Sequence, residues 1–171
     1  MTRQLAAGLL CFLYASGAAA QTGSPVTDVA RLEGTWTLDI ERSGVTESER
    51  RVITLGPTWI RVTIHRAMDD HPPVLIYNLD GSKGLNPFGD GTATTALYRE
   101  PTGLRTETVY TIHDRPTTVS EVFRLNAAGD ELVVETTVRV EHGYQGVTSA
   151  LDRVPPNVSQ STMIFRKTPA P

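Results

Sequence analysis

The chain has 171 residues, 39% hydrophobic and only 6% aromatic, with a formal net charge of −3. That length suits about one domain. The charges are dispersed with no basic patch, which excludes nucleic acid as an expected partner, and the few aromatics argue against stacking platforms for bases or long sugars.

Residues 1–20 read as an export leader. Arg3 is the lone basic residue near the start, Leu5 to Tyr14 is apolar, and Ala18-Ala19-Ala20 precedes Gln21, the pattern of a secretory signal cleaved after small residues. Loss of Arg3 with the leader would take the net charge from −3 to −4. No later segment has the apolar length of a membrane span. The only cysteine, Cys11, lies inside the leader with apolar residues on both sides, so neither a lipid anchor nor a disulfide is expected. The expected destination is the periplasm or the medium. Residues 21–29 form a flexible lead-in, 30–167 the folded domain and 168–171 a tail.

Thr27-Asp28 can cap a single helical turn through Leu32. After Gly34 the pattern turns to period two and stays there nearly to the end. Trp36, Leu38 and Ile40 share one face of the first strand. Val52 to Leu55 is the second strand, stopped by Gly56-Pro57. Trp59 to Met68 is the third, with Ile60, Val62 and Ile64 on one face. Pro72-Pro73 breaks the ladder, and Val74 to Leu79 follows, ending at Asp80-Gly81. Residues 82–92 read as a long irregular loop. Thr95 to Glu100 is a short strand, Leu104 to His113 and Thr118 to Asn126 form a hairpin, and Glu131 to Glu141 is the strongest strand. Residues 143–157 are a second irregular section, and Ser161 to Lys167 is the last strand.

About nine short strands with tight polar turns and no substantial helix predict an all-β protein. An antiparallel up-and-down β-barrel of about 8–10 strands, with a short N-terminal helical turn, is the simplest closure. The stretch "VARLEGTW", with Gly34 and Trp36, resembles the opening of the lipocalins and the wider calycins. The chain is also similar to a group of secreted bacterial lipocalin-like proteins in its "GTWxLDxxxS" opening (Gly34 to Ser43), "LDG" (Leu79 to Gly81) and "GDELxV" (Gly129 to Val134). The resemblance covers 30–167 and implies a barrel whose closed end is plugged by Trp36, with a basic side chain of the last strand across it. Arg166 is the candidate, Lys167 the alternative. The second lipocalin motif, Thr-Asp-Tyr, has no match, and no catalytic residue follows from the likeness.

No catalytic motif emerges. His65, His71, His113 and His142 show no metal-ligand spacing, so solvated histidines are expected rather than zinc or haem ligands. Asp80, Asn86 and Asp90 offer oxygens for calcium but lack the closing Glu of an EF-hand; turn chemistry accounts for them. Neither metal nor cofactor is expected. Glu107, Glu121, Glu135 and Glu141 lie on strands among Arg105, Arg124 and Arg139, as cross-strand pairs on the outer face would. Should some point inward, a polar site for an acidic ligand or an acid–base pair would result, because a one-residue slip reverses every face.

The expected lumen is aliphatic, lined by Leu38, Ile40, Ile60, Val62, Ile64, Tyr110, Phe123, Val134 and Val138. A barrel of this size is either filled or holds one small ligand. The leading expectation is an exported binding module for a small apolar or amphipathic molecule, with loops 82–92 and 143–157 gating the mouth. The alternatives are a filled barrel that docks a protein partner through those loops, and an isomerase- or hydratase-like enzyme using the lumen.

Overall fold

The computed structural model describes residues 29–113, 115–141 and 156–169. After a 3-10 turn at Val29–Leu32 come ten strands: β1 (Gly34–Leu38), β2 (Glu49–Leu55), β3 (Trp59–Arg66), β4 (Val74–Asn78), β5 (Gly84–Phe88), β6 (Gly91–Glu100), β7 (Gly103–Ile112), β8 (Arg115–Leu125), β9 (Glu131–Val140) and β10 (Asn157–Thr168). One short helix, α1 (Ile40–Ser43), lies between β1 and β2.

The strands form one antiparallel sheet in the order β4-β3-β2-β1-β10-β9-β8-β7-β6-β5. Sequential neighbours pair, as short turns require, and β1 pairs with β10 to bring the chain ends together. The sheet thus curls into a barrel with one seam, between β4 and β5. Asn86 bridges it: its side-chain oxygen accepts from Ile76 N at 2.9 Å, and its amide nitrogen donates to Ile76 O at 3.0 Å and to Thr95 Oγ1 at 2.8 Å.

One end of the barrel is closed. Trp36 is fully buried, and its indole N–H donates to Leu32 O at 2.8 Å. Lys167 places its ammonium 5.2 Å from the indole ring and donates to Arg31 O at 3.2 Å. The cation on Trp36 is therefore Lys167, which corrects the expectation of Arg166. The register pairs Trp36 with Lys167; Phe165 points inward, so Arg166 faces out and bonds Asp39 instead. A cation on an indole face contributes about 0.5–2 kcal/mol. Gly34 precedes this plug at φ +137, and a Cβ there would meet Lys167 Cε at 2.9 Å. Glycine is needed for the backbone angle, while the Lys167 side chain could shift to make the room.

Around Trp36 the lower lumen is filled by Leu32, Ile53, Ile60, Leu97, Leu104, Phe123, Leu132 and Phe165, each at most 2% exposed. Four expectations of local structure change. Ile40 does not continue β1: Asp39 caps α1 by accepting from Arg42 N, Gly44 ends it at φ 64, and Ile40 is exposed, away from the lumen. Strand β2 begins at Glu49, three residues before the predicted start. Residues 82–92 are not a loop; they hold β5 and the start of β6, with turns at opposite ends of the barrel. The last strand starts at Asn157 and so takes in the end of the expected irregular section. Residues 143–155 lie outside the described residues.

Candidate functional site

The end opposite Trp36 carries α1 and the links β3–β4, β5–β6 and β7–β8. Strands β1 and β10 separate here. Their ladder ends at Leu38–Phe165, and β10 from Asn157 to Thr162 is exposed. Ser43 on α1 fastens the parting strands, its hydroxyl accepting from Ile164 N at 2.9 Å. A pocket of about 370 Å³ opens beside this junction, with Leu38, Val45 and Met163 as its apolar wall and Glu49 and Arg66 as its polar wall. Phe88 and Tyr110 stack nearby, ring centroids 4.4 Å apart, next to a rim concavity of about 660 Å³. Burial raises the Tyr110 phenol pKa.

Below this mouth lies an ion cluster across the lumen. Strand β2 alternates Glu49, Arg51 and Ile53 inward, which buries Arg51 to 1% exposure. Its Nε donates to Glu49 at 2.7 Å and its Nη2 to Glu121 at 2.9 Å. Glu121 stands on β8, four places round the sheet from β2, so the guanidinium is a crossbar. Thr136 also donates to Glu121, at 3.4 Å. Glu49 accepts a second cation, Arg66 Nε at 3.1 Å, whose side chain is half exposed at the mouth. The rings of Phe165 and Phe123 flank the Arg51 guanidinium at 5.0 and 5.9 Å. Burial lowers the Arg51 pKa; the Glu121 and Glu49 carboxylates outweigh it and hold the pKa above the ordinary arginine value.

One guanidinium nitrogen is left over. Arg51 Nη1 is buried and has no hydrogen-bond partner among the described residues. Beside the crossbar runs a second polar tie, Tyr77 OH to Thr108 Oγ1 at 3.0 Å between β4 and β7. Burial, the largest influence, pushes the Tyr77 phenol up to about 12. Thr95, Thr106, Thr108, Thr117 and Thr136 are all buried, so the upper wall is far more polar than an aliphatic lumen.

Of the residues expected to line the lumen, Ile60, Val62, Phe123 and Val134 lie in the filled core, with Ile64 at its upper edge. Leu38 reaches the mouth pocket; Tyr110 and Val138 are half-buried nearer the rim. Outer-face pairing describes Arg124–Glu135, Arg105–Glu100 and Arg139–Glu141, but Glu121 points inward. Arg51 and Glu49 precede the expected start of β2 at Val52, although the period-two pattern extended back from Ile53 places both on its face. Asp80 accepts from Ser82 N and Oγ at 2.9 and 2.6 Å in a turn, far along β5 from Asp90. Those oxygens do not converge. Among the described residues no group of three His, Cys, Asp or Glu side chains could hold a metal ion.

No protein-family model matches the chain, and no curated protein matches it either. Solved structures do. An SAHS (abundant heat soluble) protein of Ramazzottius varieornatus aligns over 81% of this chain and 96% of its own, with 12% identity and a TM-score of 0.54. The fold is that of a calycin barrel. Apo lipid binding protein 8 of Caenorhabditis elegans matches 84% of this chain and 100% of its own, with 11% identity and a TM-score of 0.54. The REP1-NXSQ fatty acid transporter covers 83% and 99%, with 11% identity and a TM-score of 0.51. At such identities the likeness is one of fold.

Proposed function

We propose that this calycin barrel is an exported binding module that holds one small apolar or amphipathic molecule in its upper lumen. The mouth pocket carries the reading: a cleft of about 370 Å³ with an apolar wall at Leu38, Val45 and Met163 facing a charged wall at Glu49 and Arg66. Such a division suits a molecule with an apolar body and a polar end. The likeness in fold to a lipid binding protein and a fatty acid transporter supports the same kind of ligand. The leader-like residues 1–20 support export.

The magnitude limits the ligand. Burial contributes about 25 cal/mol per Å², so micromolar binding, about −8 kcal/mol, needs roughly 300 Å² of apolar ligand surface before the costs of association. A chain or ring system of a dozen or more carbons meets that; a short acid does not.

Native mass spectrometry of residues 21–171, purified without delipidation, tests the reading. An added mass that vanishes on denaturation is expected. Bare mass that stays bare after incubation with a mixed lipid extract would overturn it. The filled lower lumen and the exposed Met68 and Ile112 near the mouth would then favour a barrel that docks a protein partner.

A further inference from the structure

Below the mouth pocket lies a layer of buried charge. Arg51 brings one buried positive charge into the lumen; Glu49 and Glu121, both at most 9% exposed on their side chains, bring two negative charges. Arg66 balances the second from the mouth, where it is half exposed. Every carboxylate oxygen that the crossbar needs is supplied from within. A ligand carboxylate laid on this floor would add an uncompensated negative charge, beside two carboxylates, to a cluster whose charges already cancel, and a buried charge without its own partner is costly.

A hydrogen-bond donor nevertheless remains. Arg51 Nη1 has no partner among the described residues, and a buried donor without an acceptor is costly. The neighbouring hydroxyls are engaged, Tyr77 with Thr108 and Thr136 with Glu121, so the protein side of the floor presents a surplus donor. Arg51 lies one inward position below Glu49 on β2, and Glu49 lines the mouth pocket. Arg51 therefore lies directly below a wall residue of the pocket.

We infer that Arg51 Nη1 receives the acceptor oxygen of an uncharged head group, such as an alcohol, aldehyde, amide or ester, and that Glu49 and Glu121 reject a carboxylate there. The inference rests on the binding reading above and narrows its ligand class.

Competition against a fluorescent apolar probe bound to the wild-type chain at pH 7.5 tests it, with 1-dodecanol, dodecanamide and dodecanoate as competitors. The alcohol and the amide should displace the probe at concentrations at least tenfold lower than dodecanoate. Glu121→Gln removes one of the two repelling carboxylates, so the affinity for dodecanoate relative to that for dodecanol should rise at least tenfold. Dodecanoate binding as tightly as dodecanol to the wild type would overturn the head-group assignment and leave the binding module standing. Failure of the probe and all three competitors to bind would remove the module as well. The wild-type comparison decides the assignment even where Glu121→Gln does not fold.

Discussion

Replacing Arg51 with methionine keeps most of the volume and removes the crossbar. Glu49 retains Arg66 at 3.1 Å, but Glu121 is left with Thr136 at 3.4 Å while the rest of its surroundings stay dry. Removing one partner of a buried ion pair costs about 3–5 kcal/mol, because the other charge is stranded. Folded domains hold only about 5–15 kcal/mol in total, so Arg51→Met should consume a large share. With a urea slope of about 1.5 kcal/mol per M, the midpoint should fall by about 2–3 M with the slope unchanged. The double variant Arg51→Met with Glu121→Met removes the stranded charge and should return to within about 1 kcal/mol of wild type, since apolar replacement of a whole buried pair is often neutral. The two singles should then be strongly non-additive. A loss below about 1 kcal/mol for Arg51→Met would refute the reasoning, because it would mean the crossbar is solvated.

Three further outcomes are expected. The Tyr77 phenol titrates at about 12 in the folded chain, against about 10 when unfolded; stability is intact below pH 10 and falls as the pH rises to 12, by up to about 2.7 kcal/mol, so melting curves should show that slope in wild type and lose it in Tyr77→Phe. Lys167→Met should lower stability by about 0.5–1.5 kcal/mol, whereas Arg166→Met should be nearly neutral, since exposed ion pairs contribute little; equal effects in chemical denaturation would contradict the register at the closed end. Asn86→Leu deletes three hydrogen bonds at the β4–β5 seam and should cost about 2–4 kcal/mol, with faster hydrogen exchange at the Ile76 amide than at the Val62 amide.

Period two carried most of the barrel in plain view, because a strand with one buried face must alternate. What it hid has local causes. Ile40 keeps the alternation of β1, yet Asp39 before it and Gly44 after it are the start and stop signals of a single helical turn, and they override it. Pro87 made residues 82–92 look like a loop, but β5 has a hydrogen-bonded neighbour on one side only, and such a strand tolerates proline. The expected start of β2 at Val52 left Glu49 and Arg51 outside the strand, although its alternation extends back through both. Their third partner, Glu121, is seventy residues away in the chain, and no local pattern announces a pair of that kind. Arg166 and Lys167 are adjacent cations, and only the position of Phe165 decides which of them meets Trp36.

The ladder between β1 and β10 also says something about how the chain reaches this state. Every other ladder joins strands that follow one another in sequence, whereas Thr37 and Thr168, whose hydroxyls meet at 2.9 Å, are 131 residues apart. Local hairpins can form early, but β1 has no second neighbour until the last strand has arrived, and closing so long a loop is a slow, entropically costly event. Before that event the margins of β1 and β9 are open to other chains. A chain cut short before Asn157 therefore loses the strand that brings its two ends together, and what remains is a curved sheet with its Trp36 plug uncovered.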